Sequence, residues 1–167
     1  MKNLELSMRT FLRMMVSAVL FTAATGVIAQ AMNSDHWSRQ ELLERAQHLR
    51  ELAAQGDGSA SETLVKYPHH YTMLAFRNKN GGGELHENFA DFFNIVDGHA
   101  TLVTGGELVD GKTTAPGELR GSSVKGGTRQ ELKAGDEVHI PAGMPHQMLL
   151  DPGTTVTYFV VKIEEKQ

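Results

Sequence analysis

Residues 135–146 read GDEVHIPAGMPH, and the order of residue types in them decides how the chain folds. Gly135 permits a turn into a strand, and Val138 and Ile140 give that strand one apolar face. Pro141 and Gly143 then reverse the chain, so that the next strand begins at His146. A histidine at the mouth of a strand, next to a rigid turn, points to one fixed place, which is how a β-scaffold positions a ligand.

Working outward, the chain from Glu62 onward is a series of short apolar segments separated by turn residues: TLVKYP, HYTMLAFRN, DFFNIVDG, HATLVTGG, ELVDGKT, GELRGSSV, RQELKAG, DEVHIPAG, HQMLLD and TTVTYFVVKI. Gly81–Gly83, Asp97–Gly98, Gly105–Gly106, Asp110–Gly111, Gly126–Gly127 and Pro152–Gly153 fall between them. Many short strands with Gly-rich turns predict an all-β sandwich or barrel. The polar stretch from Thr104 to Gly127 is expected to form one long hairpin excursion. Before the strands comes the one strong helix pattern, SDHWSRQELLERAQHLRELAAQGDG. Ser38 and Glu41 form a capping box, Leu42, Ala46, Leu49, Leu52 and Ala53 an apolar stripe, and Gly56 and Gly58 the stop.

The first 31 residues have a different character. Lys2, Arg9 and Arg13 precede an apolar run from Met14 to Ala29, which ends in the small-x-small pattern of Ala29 and Ala31. Ser17, Thr22, Thr25 and Gly26 interrupt the run, and it falls short of the roughly 20 apolar residues of a membrane span. It reads as an export signal cleaved after Ala31, which places the protein in the periplasm or outside the cell without a stable membrane anchor. Residues 32–61 are then the N-terminal helix and linker, and residues 62–167 the β-domain. The signal segment carries Lys2, Arg9, Arg13 and Glu5. Without it the chain keeps 13 Lys/Arg and 19 Asp/Glu, a formal charge of −6. An acidic domain without a basic cluster is unsuited to nucleic acid, where phosphate neutralisation supplies most of the affinity. With no cysteine, disulfides, thiol nucleophiles and thiolate metal sites are all excluded.

A second informative stretch is GGGELHENFADFFNIVDG, residues 81–98. Glu84 and His86 are two apart, so on a strand they share a face, and Asn88 continues it. Asp91 leads a face continued by Phe93 and Ile95, where a carboxylate is costly unless it meets a cation. His36 and His48 read as surface or packing residues. His69, His70, His99 and His139 read as edge, turn or wall positions. Arg120 and Lys125 lie on the excursion, as solvated charges or as groups that reach an anionic substrate.

Together these two stretches resemble the cupins, over roughly residues 62–163. The second family motif, G-x5-P-x-G-x2-H-x3-N, matches at Gly135, Pro141, Gly143 and His146, with Leu150 replacing the final Asn. The first motif, G-x5-H-x-H-x3-4-E-x6-G, is degenerate: Gly98 closes it, Asp91 takes the Glu position, His86 the second His, Glu84 the first His, and Asn78 the opening Gly. The resemblance implies a double-stranded β-helix, a jelly-roll barrel, which the amphipathic helix read above precedes. It also implies one divalent transition metal ion on Glu84, His86, Asp91 and His146. Two imidazoles and two carboxylates suit Fe, Mn, Ni or Zn and leave room for substrate.

On that reading the protein is an exported metalloenzyme acting on a small oxygenated organic molecule, with an oxygenase favoured over a lyase, decarboxylase or isomerase. Glu84, if it does not hold the metal, is the proton-moving base, and Glu87 is a second candidate. The alternative is a small-ligand-binding barrel without turnover. A homodimer is expected, because cupin barrels expose sheet faces and edges that a second copy covers. The export reading makes Met32 the first residue of the protein recovered from the periplasm, a result that N-terminal sequencing checks.

Overall fold

The structure is a computed structural model, and it describes residues 34–165. The expected export signal lies outside the described residues. Helix α1 spans Arg39–Gln55. The Ser38 hydroxyl accepts from the Glu41 backbone N–H, and the Glu41 carboxylate accepts from the Ser38 N–H at 2.8 Å, so the expected capping box is formed. Gly56 caps the other end. Leu42, Ala46, Leu49 and Ala53 are buried against Leu74, Phe76 and Val96 of the sheet. Leu52, expected on the same stripe, is 44% exposed. Ala46 and Ala53 let the helix lie close to the sheet, which narrows the buried stripe and leaves the neighbouring position on the flank.

Twelve strands follow: β1 Ser59–Lys66, β2 His70–Arg77, β3 Gly83–His86, β4 Phe89–Thr104, β5 Glu107–Val109, β6 Lys112–Ala115, β7 Glu118–Gly121, β8 Ser123–Lys125, β9 Thr128–Lys133, β10 Glu137–Ile140, β11 His146–Leu149 and β12 Val156–Glu164. The main sheet runs β1-β2-β12-β4-β11-β3-β7-β6, with β9 and β10 also on β4, and every pairing is antiparallel. The all-β expectation holds, with one covering helix. Residues 36–165 belong to one compact unit. No helix among the described residues is long and apolar enough to cross a membrane.

The sheet curls because β4 serves both of its sides. Its first half pairs with β12 and β10, its second with β9 and β11. The segments DFFNIVDG and HATLVTGG, expected as two strands, are therefore one strand bent at Gly98. Opposite the bend the register with β12 slips: Tyr158 faces Ile95 and Thr157 faces Asp97, which leaves Val96 out of the ladder. A bulge of this kind bends a strand and redirects a side chain. Val96 is accordingly buried under α1, while Phe93 and Ile95 face the barrel interior with Ala75, Leu102, Ile140, Met148, Tyr158 and Val160.

The region from Thr104 to Gly127 is not the single hairpin the sequence suggests. β5 pairs with β8 as a separate ribbon, β6 pairs with β7, and β7 also joins the main sheet beside β3. The excursion thus supplies a wall of the barrel. At the bend of β4, Gly98 has φ +80°, and a Cβ there would run into the carbonyl of Thr155. Gly98→Ala is expected to lower stability by at least about 2 kcal/mol in urea unfolding, through left-handed strain and displacement of that carbonyl.

Candidate metal centre

β3 lies between β11 and β7, so the registers on its two sides determine what surrounds it. Glu84 faces His146 across one boundary and Arg120 across the other, and His86 faces Glu118. On the opposite wall Asp91 of β4 is directly across from Lys162 of β12. Period-2 alternation points all of these into the barrel.

The donor atoms of Glu84, His86 and His146 all lie within 4.8 Å of one another. His86 and His146 are buried, and Glu84 is partly so. Nδ1 of His86 is 2.6 Å from Oε2 of Glu118, and Nδ1 of His146 is 3.1 Å from the carbonyl oxygen of Met144. A carbonyl only accepts, and an ionised carboxylate only accepts, so each imidazole donates from Nδ1 and turns its Nε2 inward. Oδ2 of Asp91 is 3.5 Å from both Nε2 atoms, and Oε2 of Glu84 is 3.6 Å from that of His86. These separations exceed hydrogen-bond length, and Nε2 of His86 is buried with no hydrogen-bond partner. A buried ring nitrogen without a partner is costly, and a cation between it and the carboxylates removes that cost. The donor set therefore fits a divalent transition metal.

Both carboxylates are held by cations. Oε1 of Glu84 accepts from Nη2 of Arg77 at 2.8 Å, and Oδ1 of Asp91 is in contact with Nζ of Lys162. Arg77 is anchored in turn by its Nε–H, which donates to the Tyr158 hydroxyl at 3.0 Å. Burial works to raise the Glu84 carboxyl, but the His86 imidazole and the charges of Arg77 and Arg120 outweigh it and hold Glu84 well below the usual carboxylate range. Burial depresses His146 below the ordinary imidazole value, although Asp91 pulls the other way, which favours the neutral form a metal needs. A cavity of about 470 Å³ opens onto the group. Glu84, His86, Asp91, Glu118, Arg120 and Lys162 line its polar side, and Met73, Phe93 and Val160 line an apolar wall.

No protein-family model matches the sequence, and no curated protein matches it. The structure, however, superimposes on a conserved protein with a double-stranded β-helix domain from Klebsiella pneumoniae, with a TM-score of 0.53 at 13% identity over 79% of this chain and 91% of that one. The fold is a double-stranded β-helix. The DMSP lyase DddQ from Ruegeria pomeroyi is similar at a TM-score of 0.49 and 14% identity, over 66% of this chain. This chain spans only 49% of the lyase. A cupin 2 conserved barrel domain protein from Rhodopseudomonas palustris follows at a TM-score of 0.47 and 16% identity, over 65% of this chain and 63% of that one.

Within the barrel, Glu84, His86 and His146 come together, as the motif alignment implies. Asp91 lies beside them with one oxygen toward the imidazoles and the other on Lys162. Glu87 does not reach the cavity. It follows the last residue of β3 and is exposed in the turn to β4, where its N–H donates to the Gly117 carbonyl. His36, His48, His69, His70, His99 and His139 are also away from the group, and His69 pairs with Glu164 at the surface. Arg120, read as a solvated charge or a substrate contact, is paired with Glu118 at 3.2 Å on the cavity rim.

Arg77, Glu118, Tyr158 and Lys162 were not legible as site residues. Two of them carry a signal in the strand alternation. Met73, Ala75 and Arg77 share one face of β2, and Tyr158, Val160 and Lys162 one face of β12, so each inward face ends on a cation that needs a carboxylate. Glu118 has no such signal, because nothing in its neighbourhood shows that β7 pairs with β3. Its contact with His86 is the kind that orients a metal-binding imidazole. Glu118→Ala is expected to weaken binding of a divalent transition metal about 10–100-fold in a calorimetric titration, with the fold retained by circular dichroism.

Proposed function

We propose that the protein is a metal-dependent cupin enzyme acting on a small oxygenated organic molecule. The observation that carries this reading is the pair of buried imidazoles whose Nδ1 protons are committed to Glu118 and Met144, so that both Nε2 atoms face Glu84 in one space. Glu84, His86 and His146 would hold one divalent ion, iron, manganese, nickel or zinc, with Oδ2 of Asp91 as a fourth donor. The ion supplies Lewis acidity toward a substrate oxygen or, if it is iron or manganese, oxygen chemistry.

The chain's own residues supply the rest. Arg77 keeps Glu84 ionised, which favours a ligand role for Glu84 over a proton-accepting one. The Tyr71 hydroxyl lines the cavity, and burial, with Glu118 and Asp91 nearby, raises it above the ordinary phenol value. It thus stays protonated and available to donate to a substrate oxygen. The apolar wall of Met73, Phe93 and Val160 suits a carbon skeleton and keeps water from the reacting face. Oxygenase chemistry is the favoured reaction, because two imidazoles and one or two carboxylates leave positions open. Export to the periplasm or out of the cell and association as a homodimer complete the proposal.

A second reading has an observation behind it as well. Both carboxylates already meet cations, Glu84 on Arg77 and Asp91 on Lys162, which is what a metal-free ligand-binding barrel requires. Elemental mass spectrometry of the purified protein separates the two. About one transition-metal ion per chain, lost in His86→Ala and His146→Ala, is expected for the enzyme. No metal after incubation with Fe(II), Mn(II), Ni(II) and Zn(II) leaves the barrel as a binding module.

A further inference from the structure

Among the described residues Lys162 is the one buried lysine, 8% exposed on the inward face of β12. Its position is set by register, directly across from Asp91, and its ammonium group meets Oδ1 of that carboxylate. The other oxygen, Oδ2, is the one 3.5 Å from both imidazole Nε2 atoms. Glu84 repeats the pattern, with Oε1 on Arg77 at 2.8 Å and Oε2 toward His86 at 3.6 Å. Each candidate carboxylate therefore has one oxygen tied to a cation in the barrel and one turned to the imidazoles, with Arg120 also 3.8 Å from Oε2 of Glu84.

The electrostatic consequence follows from counting charges. Metal-binding imidazoles are neutral, the Glu84 and Asp91 carboxylates are balanced by the Arg77 guanidinium and the Lys162 ammonium, and Glu118 is balanced by Arg120. A divalent cation entering this group meets no net negative charge, and it approaches the Lys162 ammonium as a like charge. Without the ion, the same two pairs keep the carboxylates from repelling each other in a buried space.

Resting on the metal-centre reading above, we propose that Lys162 is a charge-balancing residue that sets how tightly the site holds its metal. It keeps Asp91 in place in the metal-free barrel, leaves that carboxylate one oxygen for the ion, and makes the ion weakly held and exchangeable. Lys162 is thus a positioning residue that acts through Asp91.

The test is a Co(II) titration of the metal-free protein by calorimetry, followed through the visible Co(II) absorption, with thermal unfolding measured with and without Co(II). Wild type is compared with Lys162→Gln, which keeps a hydrogen-bond donor without the charge, with Lys162→Met, which removes both, and with Lys162→Arg. Expected are Co(II) dissociation constants about tenfold or more lower in Lys162→Gln and Lys162→Met, with Lys162→Arg close to wild type. Metal-free Tm should fall in Lys162→Met, and Co(II) should then raise Tm more than it does in wild type. If Lys162→Met fails to fold, the dissociation constant of Lys162→Gln decides. Equal or weaker Co(II) binding in Lys162→Gln than in a wild type that does bind Co(II) overturns the role of Lys162 and leaves the metal-centre reading standing. Binding in Lys162→Gln but not in wild type supports the role and overturns the metalloprotein reading. Binding in neither overturns both.

Discussion

Charged side chains inside a barrel must meet partners, and that constraint organises this molecule. Glu84, Asp91, Glu118, Arg77, Arg120 and Lys162 border one cavity with His86. Asp91 and His86 meet Lys162 and Glu118 of adjoining strands, whereas Glu84 meets Arg77 of β2, a strand that does not pair with β3. An unpaired buried charge costs several kcal/mol, so the strand registers that create these pairs and the pairs themselves support each other. A slip of one residue in β3 would turn Glu84 and His86 out of the barrel and leave Arg77 and Glu118 without their partners.

The apolar parts of the structure hold that polar group in place. One cluster fills the barrel around Phe93, Ile95, Leu102 and Val160, and a second seals the sheet under α1 around Leu49, Leu74 and Phe76. β12 takes part in both, because Tyr158 and Val160 face inward while Phe159 packs toward the helix. The same inward face ends at Lys162. Packing of β12 thus places the cation that Asp91 needs, and the rigidity of the core passes to the site through the strand itself.

Much of the fold was legible because its signals are local. Ser38 and Glu41 mark the helix start, Leu42, Ala46, Leu49 and Ala53 mark its buried face, and Pro141 and Gly143 mark the turn before His146. Half of the site was also legible, since Glu84 and His86 share a face and the spacing to Asp91 and Gly98 follows the cupin pattern. The bend in β4 was misread as a break, because Asp97–Gly98 has turn chemistry whether the chain reverses or only bends. Leu52 was misread because a periodic stripe does not show how closely the helix approaches the sheet. Glu87 was placed near the chemistry by proximity in sequence, whereas the end of β3 turns it to solvent.

By itself the sequence determined the class of structure, the covering helix, and the strand positions of His86 and His146. Each follows from the order of residue types within a dozen positions, where alternation, capping and turn preferences act. Only the tertiary structure decided which charges meet there. Glu118 is 32 residues from His86 and Lys162 is 71 residues from Asp91, and no local preference links them. Their meeting depends on β7 joining β3 and on β12 lying beside β4, pairings that backbone hydrogen bonds and the burial of distant apolar faces select together.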